Sequence, residues 1–210
     1  MYIAFEGIIG TGKSTQVKRL HSYLQEKYPK REILITREPG GTPVAEAIRK
    51  VVQGQEFTEG MELICEAYLY AAARAQSLRK LVKPILDRGG VVISDRSVFS
   101  SLTNQAFGRK LGYQKVLNIN REAVGNIWPD IVIFLDLPVK AGMSRSFDKA
   151  GDKFEKLGQS FYQRVARGYE EVSKHRRLKS KWLRVDASGK PDEVFGRIIK
   201  VLEPILDDHF

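Results

Sequence analysis

Cysteine is almost missing from this 210-residue chain: Cys65 is the only one. That excludes an internal disulfide framework and points to a reducing compartment. Cys65 falls in a helical stretch, where a packed, small apolar role is expected ahead of a nucleophilic one. No apolar run approaches the ~20 residues of a membrane-spanning helix. The first residues read as a strand rather than a signal peptide, so the expected location is the cytoplasm, with no membrane partner. Internal repeats and low-complexity linkers are also absent, which fits one domain over 1–210 with at most a small mobile insert. Apolar residues at 42% and charged residues at 29% argue against disorder. Acidic residues are in short supply, 25 against 35 Lys and Arg, a net charge of +10. Such a surplus suits a nucleic-acid partner or a site for polyanionic nucleotides, and charge alone does not choose. The densest basic run holds Lys174, Arg176, Arg177, Lys179, Lys181 and Arg184, with Trp182 as its one aromatic. It reads as a solvated helix end and loop, so nucleic acid is not the expected partner.

What the chain does contain is organised around residues 7–15. Gly7, Gly12, Lys13 and Ser14 fill the pattern G-x-x-x-x-G-K-[ST], directly after the apolar Tyr2-Ile3-Ala4-Phe5 and before a helical pattern. Glycines at 7, 10 and 12 let the backbone turn its N–H groups inward onto a polyphosphate. The next helix adds unpaired N–H groups and the positive end of its dipole, so Thr11 and Thr15 belong to the same cradle. Lys13 reaches the outer phosphates, and the Ser14 hydroxyl suits a magnesium ion carried by the nucleotide. A plain strand-to-helix turn would explain the glycines but not Lys-Ser-Thr at this offset.

Further along, Val17, Leu20 and Leu24 mark one face of a helix ending near Tyr28-Pro29, and Ile33-Leu34-Ile35 a second buried strand. Arg37 to Pro43 breaks all periodicity, with Pro43 placed for the first turn of a helix to Val52. One long alanine-rich helix is expected from Glu62 to Leu86, close-packed against the site or a second subunit. Val91 to Asp95 and Asp130 to Asp136 read as strands, Ser97 to Phe107 and Tyr113 to Asn126 as helices. A helix from Pro138 leads into a charged segment, expected to form a mobile lid at about 144–157. Ser160 to Val172, Trp182 to Asp186 and Asp192 to Leu206 complete the chain as helix, strand and helix. The expected fold is α/β, a P-loop NTPase with a five-stranded parallel sheet between two helical layers. Ligands of such sheets sit beyond the carboxyl ends of the strands, where Lys13, Arg37, Asp95, Arg96 and Asp186 all fall.

Phosphoryl transfer asks mainly for position and positive charge. Lys13 supplies one charge, and Arg96 is placed to sit between donor and acceptor phosphates. Asp95 would hold magnesium directly or through water, or else form a local salt bridge with Arg96. Arg37 is a candidate grip on an acceptor's phosphate, with Glu38 fixing it or the metal. Arg74 amid alanines points into the pocket or snorkels to solvent. Tyr70, one turn earlier on the same face, stacks on a base or packs in the core. Arg145, Lys149, Lys153 and Lys156 make a basic flap that excludes water, or a solvated helix face.

Those residues resemble the thymidylate kinase family over nearly the whole chain. The resemblance runs through Phe5-Glu6-Gly7, Thr36-Arg37-Glu38-Pro39-Gly40-Gly41-Thr42, Ala72-Ala73-Arg74-Ala75-Gln76, Ser94-Asp95-Arg96 with Ser100-Ser101-Leu102, and Asp186-Ala187-Ser188. It implies ATP and Mg2+ as donor and cofactor, dTMP as acceptor, and a homodimer. It further implies that Arg37 and Arg96 bind the acceptor's phosphate, that Arg74 and Gln105 address the base, and that Tyr70 stacks on it. Arg145 would lie against adenine, near the loop of Asp186 and Ser188. With Gly10 and Thr11 in the phosphate loop, the extra catalytic charge is assigned to the lid, where Lys153 takes the place of a usual arginine. Ile9, Ala73, Ser97 and Asn104 depart from the family's pattern, mostly around the acceptor's sugar. Kinases of other deoxynucleotides or deoxynucleosides, and a non-catalytic nucleotide binder, remain the rival readings.

Overall fold

The computed structural model describes residues 1–54, 59–146, 157–175 and 180–209. Strand β1 (Tyr2–Glu6) is buried from end to end and runs through residues 7–12 into α1 (Lys13–Lys27). Next come β2 (Ile33–Arg37), α2 (Pro43–Gln53) and α3 (Leu63–Ser77). Thr42 Oγ1 caps α2 by accepting from Ala45 N at 3.2 Å, and Pro43 occupies its first turn.

The single helix expected over 62–86 is interrupted. A π-helical turn at Leu78–Val82 separates α3 from α4 (Lys83–Asp87). Pro84 supplies the reason: it has no N–H to donate, and its ring would clash with the carbonyl four residues earlier in a regular helix. The widened turn relieves both problems. The helix expected over 97–107 is likewise divided, into α5 (Val98–Thr103) and a π turn at Asn104–Gly108. Cys65 is exposed, not packed, because it lies on the outer face of α3 beside the exposed Ile64 and Tyr68.

β3 (Val91–Asp95), α6 (Tyr113–Val124), β4 (Ile131–Asp136), α7 (Val139–Ser146), α8 (Gly158–Val172), β5 (Lys181–Asp186) and α9 (Pro191–His209) follow in order. The strands form one parallel sheet in the order β2-β3-β1-β4-β5. Alternate strand residues serve opposite faces. Ile3, Phe5, Ile93, Ile131 and Ile133 pack under α1 and α9, whereas Tyr2, Val92 and Val132 pack under the α4–α6 side. This is the three-layer α/β/α arrangement expected. A third cluster joins Ile8 of the phosphate loop and Phe134 to Phe161, Val165 and Tyr169 of α8. Among the described residues no helix is long and apolar enough to cross a membrane.

The register explains why polar residues meet at one rim. Phe5 pairs with Asp95, Arg37 pairs with Asp95 across the next strand, and Asp136 pairs with Asp186. In β1, β3 and β4 mostly apolar residues fill the strand and the charged residue stands at its carboxyl end, whereas the edge strand β5 also carries Lys181 and Arg184 along its length.

Candidate active site

The phosphate loop leaves β1 between β3 and β4, and Gly12 closes it in the left-handed region at φ 84°. Gly10, at φ 72°, lies against α7: a Cβ there would stand 2.0 Å from the Gly142 carbonyl oxygen. Only glycine permits that approach, which ties the loop to the helix leading toward residues 144–157. Lys13 Nζ donates to Gly7 O at 3.1 Å, Ile8 O at 2.7 Å and Thr11 Oγ1 at 3.2 Å. Burial, aided by the Arg96 charge, lowers its ammonium to about 7, against the pull of Asp95 and Glu6. The Ser14 hydroxyl donates to Asp95 Oδ2. Asp95 is thus committed to the phosphate-loop helix rather than paired with Arg96.

Lys13, Ser14, Arg37, Asp95, Arg96 and Arg145 line one open cavity of about 770 Å³. Arg37 keeps its side chain 53% exposed and donates to Glu46 through Nε at 3.3 Å and Nη2 at 2.8 Å. Glu46 also accepts from Gly41 N at 3.0 Å, so it ties the arginine to its loop. Glu38 does not fix Arg37, one of the two roles expected for it. Its side chain turns the other way, into the buried layer below.

That layer surrounds a second, narrower cavity of about 220 Å³, lined by Tyr70, Arg74, Arg96, Asn104 and Gln105 among others. Arg96 and Glu38 line both cavities. Arg74 is 2% exposed and does not snorkel. It donates from Nε to Glu38 Oε2 at 2.6 Å, from Nη1 to Asn120 Oδ1, and from Nη2 to Ser101 Oγ at 3.1 Å. Burial pushes the Glu38 carboxyl up while Arg74 pulls it down. Tyr70 shares the cavity with Arg74, as their helical spacing predicts.

Arg96 adopts φ 75°, a conformation that a side-chain-bearing residue rarely takes. Its surroundings hold it there. Arg96 N donates to Phe5 O at 2.9 Å, Ser94 Oγ donates to Arg96 O at 2.6 Å, and Arg96 Nη1 donates to Ser100 Oγ at 3.0 Å. Beneath this turn lies the buried carboxylate of Glu6. It accepts from Ser97 N and Oγ, both at 2.8 Å, from Ser100 Oγ at 2.7 Å and from Tyr169 OH at 2.8 Å. Ser97 therefore caps α5 and serves Glu6, which accounts for a serine at that position.

At the other end of the rim, Arg145 Nη1 donates to Ala187 O at 3.0 Å. Asp186 accepts from Ser188 N at 2.9 Å and Oγ at 2.7 Å, bonds that hold its carboxyl below the usual range. The expected proximity of Arg145 to the 186–188 loop is present. Lys149, Lys153 and Lys156 lie outside the described residues.

Residues 5–198 match the family model described as thymidylate kinase. The chain belongs to the thymidylate kinase family. It is 39% identical over 206 residues to "Thymidylate kinase" of Thermosipho africanus, covering 98% of this chain and 99% of that relative. It is 44% identical over 173 residues to "Thymidylate kinase" of Desulforudis audaxviator, covering 82% of this chain and 77% of the relative. A crystal structure of thymidylate kinase from Ehrlichia chaffeensis superposes with a TM-score of 0.77 at 28% identity, covering 96% of this chain and 98% of the other.

For this member of the thymidylate kinase family, sequence reasoning missed several supports of the site. Glu46, Asn120 and Glu66 were not singled out, and Glu6 was noted only as part of a motif. Glu6 carried a readable signal, since an acid inside a wholly buried strand needs donors to satisfy it. Glu46 and Asn120 lie on amphipathic helices, where one more polar residue draws no notice, and Glu66 lies on the alanine-rich α3, whose faces are not distinguished by their pattern.

Proposed function

We propose that the protein transfers the γ-phosphoryl group of ATP to dTMP, giving ADP and dTDP. One observation carries this reading: Lys13, Arg37 and Arg96 face a common cavity, and Arg96 also borders the narrower one. ATP would lie along the phosphate loop with adenine toward Arg145 and the 186–188 loop. The acceptor would place its phosphate between Arg37 and Arg96 and its base beside Tyr70, Arg74 and Gln105. A phosphate oxygen of the acceptor attacks the γ-phosphorus, and the bond to the β,γ-bridging oxygen breaks. That nucleophile is already anionic near neutral pH, so no general base is required. The chain's task is to hold two anions in line and to neutralise charge as it moves, with Lys13 on the donor side.

Ser14 and Asp95 offer hard oxygen donors at the N-terminus of α1, which suits magnesium. When bound, the ion would neutralise charge on the donor's phosphates. We assign a homodimer to the exposed face of α3, where Ile64 and Tyr68 stand bare with Ala72. Lys153 is assigned the additional charge, as its place in the family's pattern implies. Ile9 and Asn104 both line the acceptor cavity, so the departures from the family bear on acceptor choice.

Supplying dTMP, dUMP, dCMP, dGMP and thymidine separately with MgATP tests the reading: dTMP is expected to be the best acceptor. Turnover of thymidine instead would make the protein a nucleoside kinase, and nucleotide binding without any transfer would make it a non-catalytic binder. Arg37→Ala is expected to lower kcat/KM for dTMP by about 10²-fold, as loss of a charged phosphate contact does. Background ATP hydrolysis should stay within a few-fold of the parent. Equal loss of both would remove Arg37 from the acceptor side.

Nucleotide binding should also take up a proton. Lys13 sits at about 7 where the loop's carbonyls surround it, and a polyphosphate would restore its charge. Above pH 7, ATP affinity is therefore expected to fall by up to about tenfold per pH unit until the bound lysine itself titrates. Titration calorimetry at pH 8 in buffers of different ionisation heat should count close to one proton, and a count of zero contradicts this. Stability runs the other way. The unfolded chain keeps the lysine proton up to the ordinary value of 10.5, so between about 7 and 10.5 this group makes the ligand-free fold more stable as pH rises.

A further inference from the structure

Gln105 is 2% exposed and lines the narrow cavity, yet the orientation of its amide is not left to the ligand. Its Nε2 donates to Glu66 Oε1 at 3.1 Å. Glu66 is fully buried on α3 and forms a two-point ion pair with Arg109, which donates from Nε to Oε1 at 3.1 Å and from Nη2 to Oε2 at 2.8 Å. A carboxylate only accepts hydrogen bonds, so the amide must present NH2 to Glu66. The reverse orientation would press two acceptor oxygens together and leave part of a buried ion pair unmatched. The end of the amide that remains for a ligand is the carbonyl oxygen.

We propose that Glu66, locked by Arg109, is a positioning residue that sets which pyrimidine the cavity accepts by turning the Gln105 carbonyl toward the base. The proposal rests on reading this cavity as the acceptor site. A base held by its phosphate at Arg96 then meets a guanidinium donor at Arg74 and an amide acceptor at Gln105. The 4-oxo, N3–H edge of thymine or uracil matches that pair. Cytosine carries an amino group and an unprotonated N3 in the same order, so donor meets donor and acceptor meets acceptor. Neither Glu66 nor Arg109 has to touch the substrate for this to work. Discrimination built on unmatched buried polar groups is much stronger than discrimination by shape.

The test is the ratio of kcat/KM for dTMP over dCMP in the full-length enzyme, with dUMP as a second 4-oxo substrate. Glu66→Gln keeps the side chain's shape but can accept or donate, so Gln105 is free to flip. That ratio is expected to fall by at least about tenfold, with KM for dCMP decreasing and KM for dTMP rising. The dTMP to dUMP ratio should hold, because both bases present the same edge. In a Gln105→Met background, Glu66→Gln is expected to change the dTMP to dCMP ratio no further. A purely structural role for Glu66 would lower turnover of every acceptor alike and leave both ratios intact, which overturns the proposal. If Glu66→Gln does not fold, Glu66→Asp makes the same measurement, since it keeps the charge but withdraws it from Gln105. A parent enzyme that uses dCMP as well as dTMP also overturns the proposal. Absence of any dTMP turnover by the parent overturns the acceptor-site reading and this inference with it, whereas turnover with an unmoved ratio removes this inference alone.

Discussion

Lys13→Ala is expected to lower the rate of phosphoryl transfer to dTMP by about 10³-fold or more, the scale on which one charged group on a transferring phosphoryl matters. The loop itself should survive the change. Its turns depend on Gly7, Gly10 and Gly12 and its walls on Ile8 packed against α8, which remain when the ammonium's bonds to Gly7 O, Ile8 O and Thr11 Oγ1 are lost. What disappears is the positive charge that Lys13 now shares among Gly7 O, Ile8 O and Thr11 Oγ1, and that ATP would claim. Nucleotide affinity should weaken less than turnover, since the helix N-terminus and the loop's N–H groups still face the phosphates. A coupled assay for ADP with dTMP as acceptor measures the first effect, and titration calorimetry the second. A loss of less than about tenfold in turnover would hand the transition-state charge to another group, with Arg96 the first to examine.

Arg74→Ala should be the most damaging change for stability in the acceptor layer. It leaves the Glu38 carboxyl buried without its cation and deprives Asn120 and Ser101 of a partner. Breaking a buried pair from one side costs about 3–5 kcal/mol. For a domain of this size that amounts to a melting point lower by about 10 °C. Glu38→Gln added to Arg74→Ala should recover part of the loss, because a neutral amide is far cheaper to bury unpaired than a carboxylate. Thermal and denaturant unfolding of the single and double variants measure this. A single-variant cost below about 1 kcal/mol would mean that water or a rearranged side chain already compensates Glu38.

How much was legible beforehand follows from the range over which each signal acts. The strands were readable because both faces of a parallel sheet are covered, so β1 and β4 appear as unbroken apolar runs. The phosphate loop was readable because its chemistry is local, with glycines, lysine and hydroxyl all within nine residues. The division of the 62–86 helix was less so. Pro84 marks trouble in a helix, but whether the chain stops, kinks or widens depends on what packs against it. Cys65 departs from its expected packed place for a related reason: a helix with alanines all round does not announce which face is bare.

The site shows the same boundary. Arg37, Asp95 and Arg96 could be set on one rim from strand order alone, and the register places them there. The partners could not be assigned in that way. Sequence proximity offers Glu38 to its neighbour Arg37 or to the metal, yet it pairs with Arg74, 36 residues away, while Glu46 across the loop takes Arg37. Charge pairing over such separations depends on side-chain direction, which neither spacing nor composition encodes.

The amino-acid sequence by itself determined the fold class, the nucleotide loop and the family's motifs, because these rest on periodicity and on groups adjacent along the chain. Only the tertiary structure decided that Glu6 underpins the Arg96 turn, that Arg74 is sealed against Glu38, and that Glu66 orients Gln105. Each of these is a buried polar contact between distant segments. Its cost if unmatched becomes a constraint only once packing has removed the water that would otherwise have satisfied it.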